Sequence, residues 1–175
     1  YAKNKIIEQD EPLGVLGTNR SSTGCPIGQI FGLQDEGLFT DADFVDGELI
    51  EGIPEHTFSK VRPGDIKYKD VNKDGVINDL DRSAIGGTWN PQIVYGFGLN
   101  FQYKNFDFGF FFQGNAKTYR LIGGSNFIPG SGDGSMGNIL SNYQDHWTVD
   151  NPDQNAFWPR LSSSRNANNT QESTW

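Results

Sequence analysis

Residues 93 to 114 most limit what this chain can fold into, because they hold two runs of strict alternation separated only by Lys104 and Asn105. In the first run Ile93, Tyr95, Phe97, Leu99, Phe101 and Tyr103 share one face, while Val94, Gly96, Gly98, Asn100 and Gln102 share the other. In the second, Phe106, Phe108, Phe110 and Phe112 alternate with Asp107, Gly109, Phe111 and Gln113. A two-residue turn then pairs Tyr103 with Phe106, Phe101 with Phe108 and Leu99 with Phe110, which predicts an antiparallel hairpin with one aromatic and aliphatic face. Asn105 is the turn residue expected to take the positive φ that such turns demand.

A face of this kind is covered either by lipid, in a transmembrane barrel, or by a second sheet, in a soluble sandwich. Each run is long enough to cross a bilayer. Roughly sixty residues of weak periodicity flank the hairpin on either side, which suits an outer-membrane barrel with short periplasmic turns and long extracellular loops better than a compact soluble domain. The expected fold is therefore all-β, a segment of a large antiparallel transmembrane β-barrel with long extracellular loops, residues 1–175 forming part of one barrel domain and 93–114 its transmembrane hairpin. The Lys104 turn then faces the periplasm, and segments 34–92 and 115–175 lie outside the cell. The 22 glycines and 13 phenylalanines agree with strands and tight turns better than with helices. Further strands are expected over Gly24–Gly32 and Lys3–Gln9, and Ser162–Ser173 reads as a mobile polar stretch.

No run of about 18 apolar residues exists, so a transmembrane helix is excluded while a barrel is not. Residues 1–10 lack a basic segment followed by an apolar one, so either a leader has been removed or the chain is internal to a longer one. The net charge of -8, without clustered Lys and Arg, argues against a nucleic-acid partner. Cys25, the one cysteine, with only His56 and His146 beside it, builds neither an internal disulfide nor a thiolate zinc site and reads as a small buried or strand residue. Asp35, Glu36, Asp41, Asp43, Glu48 and Glu51 supply carboxylates, but nothing places two of them at the separation that glycoside hydrolysis needs, and the chain reads as no enzyme. Gly130–Gly137 lacks the ending of a phosphate loop, and Asn168–Thr170 forms a glycosylation sequon, which means little if the source is bacterial. Trp147, Trp158 and Trp175 are expected to pack loops together in preference to stacking on sugars.

The 70–81 segment reads D-V-N-K-D-G-V-I-N-D-L-D, so that Asp70, Asn72, Asp74, Gly75, Val76, Asn78 and Asp81 fall at positions 1, 3, 5, 6, 7, 9 and 12 of an EF-hand-type loop. Oxygen side chains at alternate positions converge on a hard cation, glycine permits the sharp turn, and position 7 offers its backbone carbonyl. The candidate metal ligands are Asp70, Asn72, Asp74, Val76 and Asp81, with Ile77 anchoring the loop to the fold. Calcium is the expected ion and magnesium the alternative, since Asp81 replaces the longer Glu that usually binds through both oxygens. No second copy of the loop follows, which points to a structural staple and away from a paired calcium sensor.

Pro63–Ile77, reading P-G-D-I-K-Y-K-D-V-N-K-D-G-V-I, is followed by I-G at Ile85, Pro91 and Y-G-F at Tyr95. P-I-G-Q-I-F-G at Pro26, G-L-F at Gly37, Y-K-N-F-D-F at Tyr103, W-T-V-D-N-P at Trp147 and W-P-R at Trp158 accompany them. This ordered set resembles SusC/RagA-type TonB-dependent receptors from about Gly24 onward. The carboxylate loop alone also resembles dockerins, which would supply a second loop. The receptor resemblance implies a C-terminal part of a 22-stranded outer-membrane barrel of Bacteroidetes-like bacteria. It further implies TonB-driven import of oligosaccharides or peptides beneath a SusD-like surface lipoprotein. Neither the plug nor the TonB-contacting segment is matched, and both belong to the parent chain. The competing expectation is a secreted calcium-stabilised β-domain for adhesion or carbohydrate binding, which would bury Phe97, Phe101, Phe108 and Phe112 between two sheets.

Overall fold

The computed structural model describes residues 1–123, 141–163 and 165–175. Its strands are β1 (Gln29–Gly32), β2 (Asp35–Leu38), β3 (Phe44–Val45), β4 (Glu48–Leu49), β5 (Glu55–His56), β6 (Ile66–Tyr68), β7 (Val76–Ile77), β8 (Ser83–Thr88), β9 (Ile93–Tyr103) and β10 (Phe106–Ala116). One-turn 3-10 helices occupy Asp41–Asp43, Asp79–Asp81 and Ser141–Gln144. The described residues hold no α-helix, and none of their helices is long and apolar enough to cross a membrane. The all-β class agrees with the sequence pattern. The strands form five two-stranded ladders: β1 with β8, β2 with β6, β3 with β4 and β9 with β10 antiparallel, and β5 with β7 parallel.

β9 and β10 form an unbroken hairpin of eleven residues per strand. Tyr103 faces Phe106, Phe101 faces Phe108, Leu99 faces Phe110 and Phe97 faces Phe112, the register that the alternation predicts. The pairing continues to Asn115 and Ala116, two residues past the expected end. At the turn it is Lys104, with φ +53°, that takes the left-handed conformation expected of Asn105. Phe111 stands on the face of glycines and amides, where its ring lies across Gly96 and Gly98, and neither position has room for a side chain beside it.

The described parts of the flanking segments are not the open loops that their weak periodicity predicts. Leu33, Leu38, Ile66, Tyr68, Ile77, Trp147 and Ala156 form one buried cluster, with Phe58 and Trp175 packed against it. This lobe draws its core from both sides of the hairpin. Trp147 and Trp158 are buried, in keeping with their expected packing role. Gly64 is required under Trp147: its φ is +84°, and a Cβ there would lie 2.2 Å from the indole ring. The C-terminal segment closes over the cluster through Leu33, whose N–H donates to Glu172 O and whose carbonyl accepts from Thr174 N–H.

The other departures have local causes. Only Gln29–Gly32 of the expected Gly24–Gly32 strand is extended in a ladder, because Gly24 and Gly28 take positive φ in turns. Cys25 sits half-buried in a bend between them, outside any strand. Lys3–Gln9 is not a strand: Ile6 exchanges one pair of backbone hydrogen bonds with Gly24 and Cys25. The chain beyond it wraps around Glu11, whose carboxylate accepts from the hydroxyls of Ser21 and Ser22 and from the N–H groups of Ser22 and Thr23. The Ser22 and Ser21 hydroxyls lead in holding that carboxyl down at about 2. Gly130–Gly137 lies outside the described residues.

Candidate functional site

Two surfaces carry the chemistry that the sequence singles out. The first is the hairpin. Tyr95, Phe97, Leu99, Phe101, Tyr103, Phe106, Phe108 and Phe112 share one face and are between 53 and 79% exposed. Within the band, Phe97 stacks on Phe112, and Phe110 meets both Phe108 and Phe112. No other strand covers this face among the described residues. A patch of this size is far larger than scattered surface apolars and marks contact with lipid or with another chain.

The second is the carboxylate loop, which the fold organises from both ends. Asp70 accepts from Lys73 N–H and, at 2.8 Å, from Gly75 N–H; Asn72 Oδ1 accepts from Asp74 N–H, and Asp74 Oδ1 from Val76 N–H. These side-chain-to-backbone bonds wind the loop into successive Asx turns. Gly75 supplies the φ of +83° that the sharp turn needs. At the other end Asp81 is wholly buried, its Oδ1 accepting from Val71 N–H at 3.0 Å and its Oδ2 from Asn78 N–H at 2.9 Å. The short side chain of Asp81 thus ties the last loop position to the first turn.

Val76 and Ile77 pair as β7 with β5, so that Glu55 N–H donates to Gly75 O and Thr57 N–H to Ile77 O. Strand alternation directs the intervening Val76 carbonyl the opposite way, off the β5 ladder. Ile77 is fully buried in the core cluster, as its anchoring role requires. Asn19 Nδ2 donates to both Leu80 O and Arg82 O, and Arg82 reaches Asp79 and Gln171, which fastens the loop exit to both ends of the chain.

The oxygen donors fit a hard cation in kind. However, no three acidic, His or Cys side chains among the described residues gather closely enough to hold an ion by themselves. The geometry also puts the Asn72 amide nitrogen on Asp74 Oδ2 at 2.9 Å. Any ion held here therefore depends on the Asn72 oxygen and the Val76 carbonyl as well as on carboxylates. Asn78 Oδ1 is engaged by Leu80 N–H and caps the 3-10 turn Asp79–Asp81. Of the acidic residues considered for hydrolysis, Asp43 pairs with Lys67 and Glu48 with Lys60.

Sequence reasoning missed a buried polar network beneath this loop. Asp65, fully buried, accepts from Arg62 N–H, from the Arg160 guanidinium and from the amides of Asn166 and Asn169. Asn168, also fully buried, donates to Ile66 O, and its backbone carbonyl accepts from the Tyr68 hydroxyl at 2.7 Å. The stretch expected to be mobile is anchored through these three asparagines, and burial removes Asn168 from any modification of the sequon. The signal available in the sequence was the spacing of Asn166, Asn168 and Asn169 after Arg160, which only the distant Asp65 makes meaningful.

His56 belongs to the same network. Asn168 Nδ2 is committed to Ile66 O, so its Oδ1 accepts from His56 Nδ1–H at 2.7 Å. His56 Nε2 is then the unprotonated nitrogen, buried without a hydrogen-bond partner among the described residues, with the Tyr68 ring stacked on the imidazole and Phe39 edge-on. Burial lowers the pKa of His56 below its ordinary 6.5, outweighing the Asn168 contact and the field of Asp65. The unfolded chain therefore binds a proton that the folded one refuses, and stability is lost as the pH falls from about 6.5 toward the depressed value. Protection against hydrogen exchange at Ile66 and Ile77, corrected for the intrinsic exchange rate at each pH, should fall in the intact protein from pH 7 to pH 5, and His56→Gln should flatten that dependence. An unchanged slope in the variant would assign the effect to other groups.

No family model matches the chain. The chain is 33% identical over 93 residues to TonB-dependent receptor P26 of Formosa agariphila, a match covering 51% of this chain and 9% of that protein. It is 30% identical over 104 residues to TonB-dependent receptor P3 of the same organism, covering 57% of this chain and 10% of that protein. The chain thus spans about a tenth of the length of these curated relatives. The two matches support a relationship to TonB-dependent receptors.

Proposed function

We propose that the chain is part of the barrel of a SusC/RagA-type TonB-dependent receptor in a bacterial outer membrane, with β9 and β10 crossing the bilayer and the lobe lying outside the cell. The exposed aromatic face of the hairpin carries this reading. Eleven residues at about 3.3 Å each, tilted by about 45°, rise about 25 Å, the height of the apolar band on outer-membrane barrels. The rival secreted β-domain would hide these rings between sheets, and their exposure counts against it.

The parent receptor would import oligosaccharides or peptides with energy passed through TonB, beneath a SusD-like lipoprotein. The resemblance supports these finer assignments. The 70–81 loop would hold one calcium ion through Asp70, Asn72, Asp74, Val76 and Asp81, with magnesium competing for the same oxygens. Its role is a staple: it joins β5, β7 and both chain ends, and millimolar external calcium would keep even a weak site filled.

Leu99 sits near the middle of β9 on the aromatic face, and Gln102 is on the other. In the full-length receptor folded into lipid vesicles, Leu99→Arg should cost about 2–4 kcal/mol by denaturant titration, while Gln102→Arg should cost about 1 kcal/mol or less. Equal costs at the two positions would refute the lipid-facing assignment.

A further inference from the structure

At the end of the hairpin away from the Lys104 turn, the chain does not leave the sheet abruptly. Gln92 N–H donates to Lys117 O, Tyr119 N–H to Thr88 O, and the Thr118 hydroxyl to Trp89 O at 2.8 Å. Ala2 N–H, in turn, donates to Gln92 O. Segment 117–120 is thereby held against 88–92 and the first two residues as a rim just beyond the aromatic band.

Each cation on this rim lies over an aromatic ring. Lys117 Nζ is 5.2 Å from the Tyr1 ring centre and the Arg120 guanidinium 5.1 Å from that of Trp89, and all four residues are exposed. Neither cation is in an ion pair among the described residues, so both charges are uncompensated where they stand. The charge is also divided along the chain. Residues 83 to 123 contain Lys104, Lys117 and Arg120 against Asp107 alone, a formal +2 within a chain of -8.

We infer that Lys117 and Arg120, seated on Tyr1 and Trp89, form a docking surface for the phosphate groups of an anionic membrane lipid. This rests on the barrel reading, which puts the rim at headgroup depth in the outer leaflet. Aromatic rings with an apolar body and a polar edge settle at that depth. A guanidinium fork and an ammonium beside them supply the donors that a phosphomonoester accepts, and the rings hold both cations without neutralising them. The acidic lobe would repel the same lipid, which confines the attraction to the rim and orients the receptor across the bilayer.

The test uses the full-length receptor purified in neutral detergent, with lipid A as the probe in its bisphosphorylated and enzymatically dephosphorylated forms, and binding read by native mass spectrometry. Each removed cation should weaken binding of the phosphorylated form about fivefold, and the Lys117→Gln/Arg120→Gln pair about 30-fold. The dephosphorylated form should bind weakly to every variant. Lys60→Gln, a lobe cation, should change nothing, and Lys117→Arg should retain affinity, which separates lost recognition from lost folding. Equal binding of the two lipid forms, or an equal loss in Lys60→Gln, would overturn the inference while leaving the barrel intact. A parent receptor that stays folded and monomeric without detergent would overturn the barrel reading and this inference with it.

Discussion

Asp65→Ala should destabilise the lobe by about 3–5 kcal/mol, the expected cost of removing one partner from a buried ion pair. Asp65 is fully buried, and its two oxygens accept from the Arg160 guanidinium, two asparagine amides and the Arg62 N–H. Truncation leaves the part-buried Arg160 charge without its counter-ion and removes the shared acceptor of several half-buried donors. Since Asn166 and Asn169 hang on the same carboxylate, the loss is cooperative, and residues 165–170 should come free together. Hydrogen exchange in the intact protein should show the Asn168 amide losing protection along with Ile66, whose N–H donates to Asn169 Oδ1. Asp65→Asn keeps one acceptor oxygen and should fall between wild type and Ala. Protection unchanged in Asp65→Ala would show that the core cluster alone holds this segment.

The second large effect is at Asp81, where the structural role is separable from the proposed metal-binding one. Asp81→Ala leaves Val71 and Asn78 N–H groups without their buried acceptor, at about 1–3 kcal/mol each, whether or not calcium is present. Asp74 is exposed, and its Oδ1 accepts from Val76 N–H near the surface. Asp74→Ala should therefore be nearly silent in chelator. A single bound ion at a hundredfold its dissociation constant stabilises by about 2.7 kcal/mol, so wild type should gain that much on adding calcium and Asp74→Ala most of it less. Calorimetric titration reads the binding directly, and unchanged heats in Asp74→Ala would refute the ligand assignment.

What was legible in the sequence follows from how local the determinant is. The β9–β10 hairpin is specified by alternation over 22 contiguous residues and a two-residue turn, and its register emerged residue for residue. The carboxylate loop was equally visible as a motif, although the Asp81 contacts that tie its ends together were not. The lobe escaped because its strands are two to six residues long, too short for a period to register. Its core residues arrive singly from positions as far apart as Leu33 and Ala156, and Asp65 looks like one more surface acid until Arg160 and the asparagines come to meet it.

That same clasp sets an order of assembly. Asp65 and its partners Arg160, Asn166 and Asn169 are about a hundred positions apart, and the whole of β9 and β10 lies between them, so closing the lobe means closing a loop that contains the hairpin. Contacts of such long range form late, whereas a hairpin with a two-residue turn zips in microseconds. The aromatic ribbon should therefore exist, with its apolar face still to be covered, before its cap can shut. During maturation the chain would pass through a stage with β9 and β10 paired and residues 141–175 still undocked, which makes the C-terminal segment the last piece to lock.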